Sequence, residues 1–405
     1  MHTFTPLQIG SMRLANRLVR SATGEGAAEE DVGCPTEVMA AFYDRLAAGG
    51  VGLVITGHTA VSHEGRCGAR MTAFTSDTFI PAFARVVAAC HRHGTPVVCQ
   101  LNHGGRQVNP ADAGVRAVCP SAVQVPGAKF APAELASAEI ERIVADFGAA
   151  ARRCREAGFD GVQIHAAHGY LVAQFNSPLT NRRTDRWGGS PEKRRAFMVA
   201  VYEAMRGQVG TDYPILVKQN VSDFHPEGLS EAEAVDVCRL WDKLGIAAIE
   251  LSGGIGETIP IAFRAQEIRQ RHEAIFFEAQ ACVIRKAVHG PVILTGGIRR
   301  LDTCERLLGE SVCDGIGLCR PLIREPDLPR QWQRRGTGAP VALESCAVAR
   351  QRPGSAQELC RGTQLSKGAA SGAIPPPSDG AVAVCTSCGG CKSSPERCNY
   401  CGQEG

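Results

Sequence analysis

A two-part unit recurs along most of this chain: a short, nearly continuous apolar run, then a longer stretch with helical periodicity. Eight such runs occur, at residues 17–21, 51–56, 96–101, 160–165, 214–219, 247–251, 291–295 and 314–318. Unbroken apolar character marks a strand covered on both faces, as in a parallel sheet. The stretches between carry one apolar stripe each. Residues 140–157 set Ile140, Ile143, Val144, Phe147 and Ala151 along one side of a helix. Residues 191–209 and 231–244 repeat the pattern behind the capping serines Ser190 and Ser230, with acid in the first turn. Glycines follow helices in Ala48-Gly49-Gly50, Ala157-Gly158-Phe159 and Leu244-Gly245-Ile246, where left-handed C-caps are expected. Strand and helix alternating eight times specify an α/β fold closed as a (β/α)8 TIM barrel. An open doubly wound sheet is the structural rival, but no GxGxxG follows the first run, which weakens a Rossmann reading.

The alternation stops near Trp332, and Gly, Pro, Ser, Ala and Gln dominate from Arg334 to Val384. The expected organisation is a barrel over 1–335, a linker over 336–384 and a cysteine-rich tail over 385–405. A chain of 405 residues, 44% hydrophobic, can bury a large core. Its net charge of +3 does not mark nucleic acid or an anionic membrane as a partner. No apolar run approaches the ~18 residues that span a bilayer, and the first ten residues lack the apolar core of a secretory signal. The expectation is a cytoplasmic protein acting on a small molecule, with assembly into a homo-oligomer left open. Of 18 cysteines, 13 are scattered, several within apolar runs as buried hydrophobes, and five crowd into the last 21 residues. That asymmetry fits a reducing compartment and a local metal or cluster site better than a disulfide framework.

Barrel chemistry gathers at the C-terminal ends of the strands. The positions so placed are Ser21 to Gly24, Gly57 and His58, Gln100 with Asn102 to Arg106, His165 to Tyr170, Lys218, Ser252 to Gly254, Gly296 and Gly297, and Leu318 to Arg320. The glycine pairs after the last strands, with Arg320 as a fixed cation, read as a phosphate site or as tight turns alone. His165 and His168, three apart, share a face if their turn is helical. They can bind a metal, donate hydrogen bonds to a carbonyl gaining charge, or be satisfied in a packed loop. Tyr170 beside them is a candidate general acid.

The stretch His165-Ala166-Ala167-His168-Gly169-Tyr170-Leu171, then Gln174-Phe175-Asn176-Ser177-Pro178 and Asn181 through Ser190, resembles the signature of the Old Yellow Enzyme family, which includes 2,4-dienoyl-CoA reductase. Asn16 through Thr23, Gln100 through Arg106 and Arg320-Pro321-Leu322 match in order, so the resemblance covers residues 3–333. It implies a non-covalent FMN across the barrel mouth and NAD(P)H as hydride donor. By position, Ala22 and Thr23 lie under the flavin ring, and Gly57 joins the cofactor site. Gln100 meets the pyrimidine edge. Lys218 stands near N1 and O2, where many members carry Arg. Gly296, Gly297, Cys319 and Arg320 hold the phosphate. His165 and His168 grip a substrate carbonyl and Tyr170 donates the proton, so that hydride passes through flavin N5 to the activated C=C of an α,β-unsaturated carbonyl compound. Two departures stand out: Thr23 or Gly24 falls where many members have a potential-tuning Cys or Thr, and Cys319 falls where Gly or Ser is frequent. Rival functions are a metal-dependent lyase or hydrolase built on His165 and His168, an oxidative dehydrogenase of amines or alicyclic compounds, and a non-catalytic redox sensor.

The tail reads Cys385-x2-Cys388-x2-Cys391-x6-Cys398-x2-Cys401. Cys-x2-Cys pairs suit zinc, and the first triplet suits an iron–sulfur cluster. The dienoyl-CoA reductase branch carries a 4Fe-4S cluster after its barrel on a Cys-x2-Cys-x3-Cys-x11-Cys pattern, similar to this one but closer to the barrel. A tail without metal is the remaining alternative.

Overall fold

The eight apolar runs form eight parallel strands in a computed structural model, which describes residues 1–126, 129–256, 258 and 275–335, with 348–349 and 383–384 as an isolated strand pair. The barrel strands are β1 (Leu18–Arg20), β2 (Leu53–Ile55), β3 (Val97–Asn102), β4 (Gly161–Ala166), β5 (Ile215–Asn220), β6 (Ile249–Ser252), β7 (Val292–Thr295) and β8 (Gly315–Leu318). They pair in sequence order, β8 pairs with β1, and β2 pairs with β3, which closes the ring. The open-sheet alternative is thereby replaced by a TIM barrel. Around it lie α1 (Glu37–Ala48), α2 (Ile80–His91), α3 (Ser137–Glu156), α4 (Ala196–Val209), α5 (Glu231–Leu244), α6 (Glu278–Ala287), α7 (Leu301–Gly309) and α8 (Leu328–Arg335).

Helix starts follow their caps. In α5 the Ser230 hydroxyl accepts the Glu233 N–H at 3.2 Å and Glu233 reaches back to the Ser230 N–H, a reciprocal capping box. Ser190 caps the turn Pro191–Arg194, and the helix expected over 191–209 is broken only at Arg195 before α4 begins. Gly158 and Gly245 are left-handed as expected, but after α1 the left-handed residue is Gly50, since Gly49 keeps helical angles.

Alternation along the strands sorts side chains into two cores. Val97, Cys99, Val162, Ile164, Val217, Leu251, Val292, Leu294 and Ile316 face outward into the helices. Val19, Leu53, Ile55, Val98, Leu216, Ala248 and Ile293 face the barrel axis, where they pack with Leu7, Ile9, Met12 and Leu14. Those last four belong to an antiparallel hairpin, Leu7–Ile9 with Met12–Leu14, that plugs the N-terminal end of the barrel. Sequence reading missed this hairpin because three-residue strands carry too little periodicity to register. Two residues further along four of these strands, the axial layer turns polar: Ser21 follows Val19, Gln100 follows Val98, Lys218 follows Leu216, Glu250 follows Ala248. An apolar lower layer under a polar upper one puts chemistry at one end only.

Among the described residues no helix is long and apolar enough to cross a membrane.

Candidate functional site

A cavity of about 220 Å³ opens at the C-terminal ends of the strands. Ala22, Thr23, Gln100, His165, His168, Tyr170, Lys218, Gly296, Gly297, Cys319 and Arg320 all line it. Gly57 does not: it stands behind the wall, its N–H given to Glu25 Oε1 at 2.7 Å and the Tyr43 hydroxyl at 2.9 Å. A larger open groove of about 690 Å³ lies at the opposite end, beside Arg13, Arg155 and Asp212. It touches the starts of strands, where a barrel builds stability and not chemistry.

One wall is a cluster of imidazoles and a phenol. His165, next to last in β4, lines the mouth, while His168 sits in the following turn with φ +61°. The turn is therefore not helical. A left-handed kink, not a helical i,i+3 spacing, folds the two rings edge to face with centroids 5.2 Å apart. The kink is held by the His168 N–H on Asn220 Oδ1 at 3.0 Å, and the ring by Ser252 Oγ against Nε2 at 2.6 Å. Tyr170 packs edge-on against His165 at 4.7 Å between centroids. A third imidazole, His58, lies 5.2 Å from the Tyr170 ring and takes a hydrogen bond at Nδ1 from Asn102.

Burial, then the Lys218 ammonium, pushes the His58 pKa down to about 4 and that of His168 to about 3. Burial, then His168, Lys218 and His58, holds His165 far below its ordinary range. All three are neutral at pH 7. His165 Nδ1 receives the Ala167 N–H at 3.4 Å and His58 Nδ1 receives Asn102, which leaves each ring proton on Nε2 as a donor. Burial raises the Tyr170 phenol, so it keeps its proton. Among the described residues no group of three His, Cys, Asp or Glu is disposed to hold a metal.

The floor is a buried polar network created by strand register. Gln100 pairs with Gln163 across β3 and β4, and Lys218 lies between His165 on β4 and Glu250 on β6. Gln100 Nε2 donates to Gln163 Oε1 at 2.7 Å, and Gln163 Nε2 donates to Glu250 Oε2 at 2.8 Å. Lys218 Nζ lies 3.1 Å from Glu250 Oε1 and donates to Ser21 Oγ at 2.9 Å. Sequence reading missed Gln163 and Glu250, and it placed His58 and Ser252 at the mouth without giving them a task. The signal for Glu250 was present, since it lies on the same strand face as Ala248, beside a lysine on the neighbouring strand.

The far end is narrow and glycine-edged. Gly296 and Gly297 have φ of +111° and +81°, which L side chains rarely adopt, and a Cβ at Gly296 would lie 2.8 Å from the Phe276 ring. Arg320 and the buried Arg299 border this end. Thr23 Oγ1 and Cys319 Sγ touch at 2.6 Å on the wall between floor and glycine edge. An amide and an ammonium at one end, side-chain-free backbone at the other, and two guanidinium groups fit a planar heterocycle carrying a phosphate.

A closed parallel barrel with such a cavity above its strand ends is a TIM barrel with its ligand site at the C-terminal face. Residues 2–336 match the model of the NADH:flavin oxidoreductase / NADH oxidase family, and the chain belongs to that family. It is 36% identical over 343 residues to a metal reductase of Desulforamulus reducens, covering 85% of this chain and 50% of that protein. It is 32% identical over 326 residues to an NADPH dehydrogenase of a Geobacillus species, covering 80% of this chain and 92% of that protein. Among solved structures, an Old Yellow Enzyme homologue from Zymomonas mobilis superposes with a TM-score of 0.73 at 28% identity, over 87% of this chain and 98% of that one. The chain thus spans half the length of its metal reductase relative and nearly all of the NADPH dehydrogenase and of the Zymomonas mobilis homologue.

Proposed function

We propose that this chain is an FMN-dependent NAD(P)H oxidoreductase that reduces the activated C=C of α,β-unsaturated carbonyl compounds. The observation that carries the reading is the triangle of His165, His168 and Tyr170 over a cavity floored by Gln100 and Lys218. Gln100, Lys218, Ala22, Thr23, Gly296, Gly297, Cys319 and Arg320 would hold FMN. When bound, the flavin supplies two-electron transfer between NAD(P)H and the alkene. The neutral imidazoles hold the acceptor's carbonyl oxygen and stabilise it more as it gains negative charge, which is where rate is won. Tyr170, fixed against His165 and kept protonated by burial, delivers the proton to the α-carbon. Ser252 and Asn220 keep His168 in its kinked turn, so the oxygen site is formed before substrate arrives.

The tail thiols Cys385, Cys388, Cys391, Cys398 and Cys401 lie outside the described residues. Their spacing supports zinc or an iron–sulfur cluster, and this is proposed for the tail.

The test is an anaerobic titration of the purified full chain. Absorbance near ~450 nm, expected for an oxidised flavin, should bleach with NADH or NADPH and return on adding cyclohexenone. A colourless protein that does not take up FMN refutes the reading.

A further inference from the structure

We infer that Glu250 is a positioning residue that sets both the hydrogen-bond polarity and the net charge of the cavity floor, through two separate branches of contacts. The inference rests on the flavin reading above.

Glu250 is fully buried on β6 and points to the barrel axis with Ala248. An ionised carboxylate only accepts hydrogen bonds. Its Oε2 therefore obliges Gln163 to turn its NH2 toward it, and Gln163 must then offer its carbonyl to Gln100 Nε2. Gln100 is left with its own carbonyl and one N–H for the cavity. The polarity of the amide that lines the cavity is thus decided two residues away. A neutral amide at 250 could face either way, and the Gln163–Gln100 chain would lose its fixed sense.

The second branch is electrostatic. Lys218 Nζ is nearly sealed from solvent and touches Ser21 Oγ and Glu250 Oε1, while the Ser21 hydroxyl itself donates to that same Oε1. The ammonium that borders the cavity is thus offset by a full negative charge at 3.1 Å. In this low-dielectric setting an uncompensated cation would bind an anionic, reduced flavin much better than the neutral oxidised form. Glu250 holds that preference down.

The experiment measures the flavin midpoint potential of full-chain, FMN-loaded protein by equilibration with a reference dye. Glu250→Gln is expected to raise the ratio of reduced to oxidised flavin affinity at least about tenfold, about 30 mV for a two-electron couple. Glu250→Asp, which keeps the charge, should sit near wild type. Lys218→Met, which leaves the carboxylate alone, should move at least about tenfold the other way, about 30 mV by the same conversion. The double variant Glu250→Gln/Lys218→Met removes both charges and should return close to wild type. A purely structural role would lower the melting temperature and leave these potentials unmoved. The inference is overturned if folded Glu250→Gln holoprotein keeps the wild-type potential. Should that variant not accumulate, it is overturned if Lys218→Met and the double variant share one potential. Wild-type protein that binds no FMN refutes the flavin reading itself, a separate result.

Discussion

Three neutral imidazoles packed beside a lysine make the barrel mouth sensitive to acid, and His58 allows the effect to be sized. Its ordinary pKa of 6.5 falls to about 4 in the folded protein, through burial first and the Lys218 charge second. The unfolded chain therefore takes up the proton at higher pH than the folded one. The stabilisation is complete above pH 6.5, shrinks as pH falls, and is gone below about 4. At pH 5 the lost contribution is at most about 2 kcal/mol, because the cavity wets one edge of the ring. That is a large share of the ~5–15 kcal/mol by which domains are stable. His58→Asn preserves an acceptor where Nδ1 meets Asn102 and removes the titration. Melting wild type and variant at pH 7 and pH 5, in the same cofactor state, reads the imidazole together with its coupling to His165 and His168, since every other titrating group is common to both. The drop in Tm between the two pH values should be smaller in the variant by up to about 3 °C for a barrel of this size. Equal drops in both proteins would refute the assignment of His58 as an imidazole held neutral by its surroundings.

Replacing Tyr170 with Phe should lower cyclohexenone turnover by about 10²–10⁴-fold while the visible spectrum of the flavin is unchanged; a loss below tenfold would remove the phenol from the proton-transfer step. His165→Ala should cost about 10²–10³ in kcat/KM for the enone, measured at saturating FMN, since one donor to the developing oxyanion is lost. Arg320→Ala should weaken FMN binding by roughly 10–100-fold, the worth of a charge-assisted phosphate contact, read as free flavin fluorescence after ultrafiltration. Residues 1–335 alone should stay yellow, while elemental analysis finds iron or zinc only when the cysteine tail is present.

The barrel was legible because strands buried on both faces are nearly continuous in apolar residues, and Pro96 to Leu101 or Pro214 to Gln219 stand out against any helical stripe. Runs of three residues, Leu7–Ile9 and Met12–Leu14, fall below that threshold even though they close one end of the molecule. Most of the mouth was legible because strand ends can be counted once strands are placed. How His165 and His168 meet was not, since spacing three apart evokes a helix, whereas a positive φ at a non-glycine residue is decided by tertiary contacts such as the Asn220 amide. Gln163 and Glu250 required the register of four strands, which no local pattern encodes. Gly57 follows its strand in the expected place, but its N–H is taken by Glu25, a partner 32 residues away.

The hairpin that stoppers the lower end makes the described part of the barrel a flask with one neck. Leu7, Ile9, Met12 and Leu14 close the lower end over an axis already filled by Val19, Leu53, Ile55, Val98, Leu216, Ala248 and Ile293, so among the described residues there is no rear exit, and on the proposed chemistry whatever enters to give up electrons must depart before the recipient can come in. Donor and recipient then compete for one doorway. An excess of either should throttle the cycle, and the two initial-rate plots should run parallel, a kinetic signature of one shared cavity above a sealed barrel.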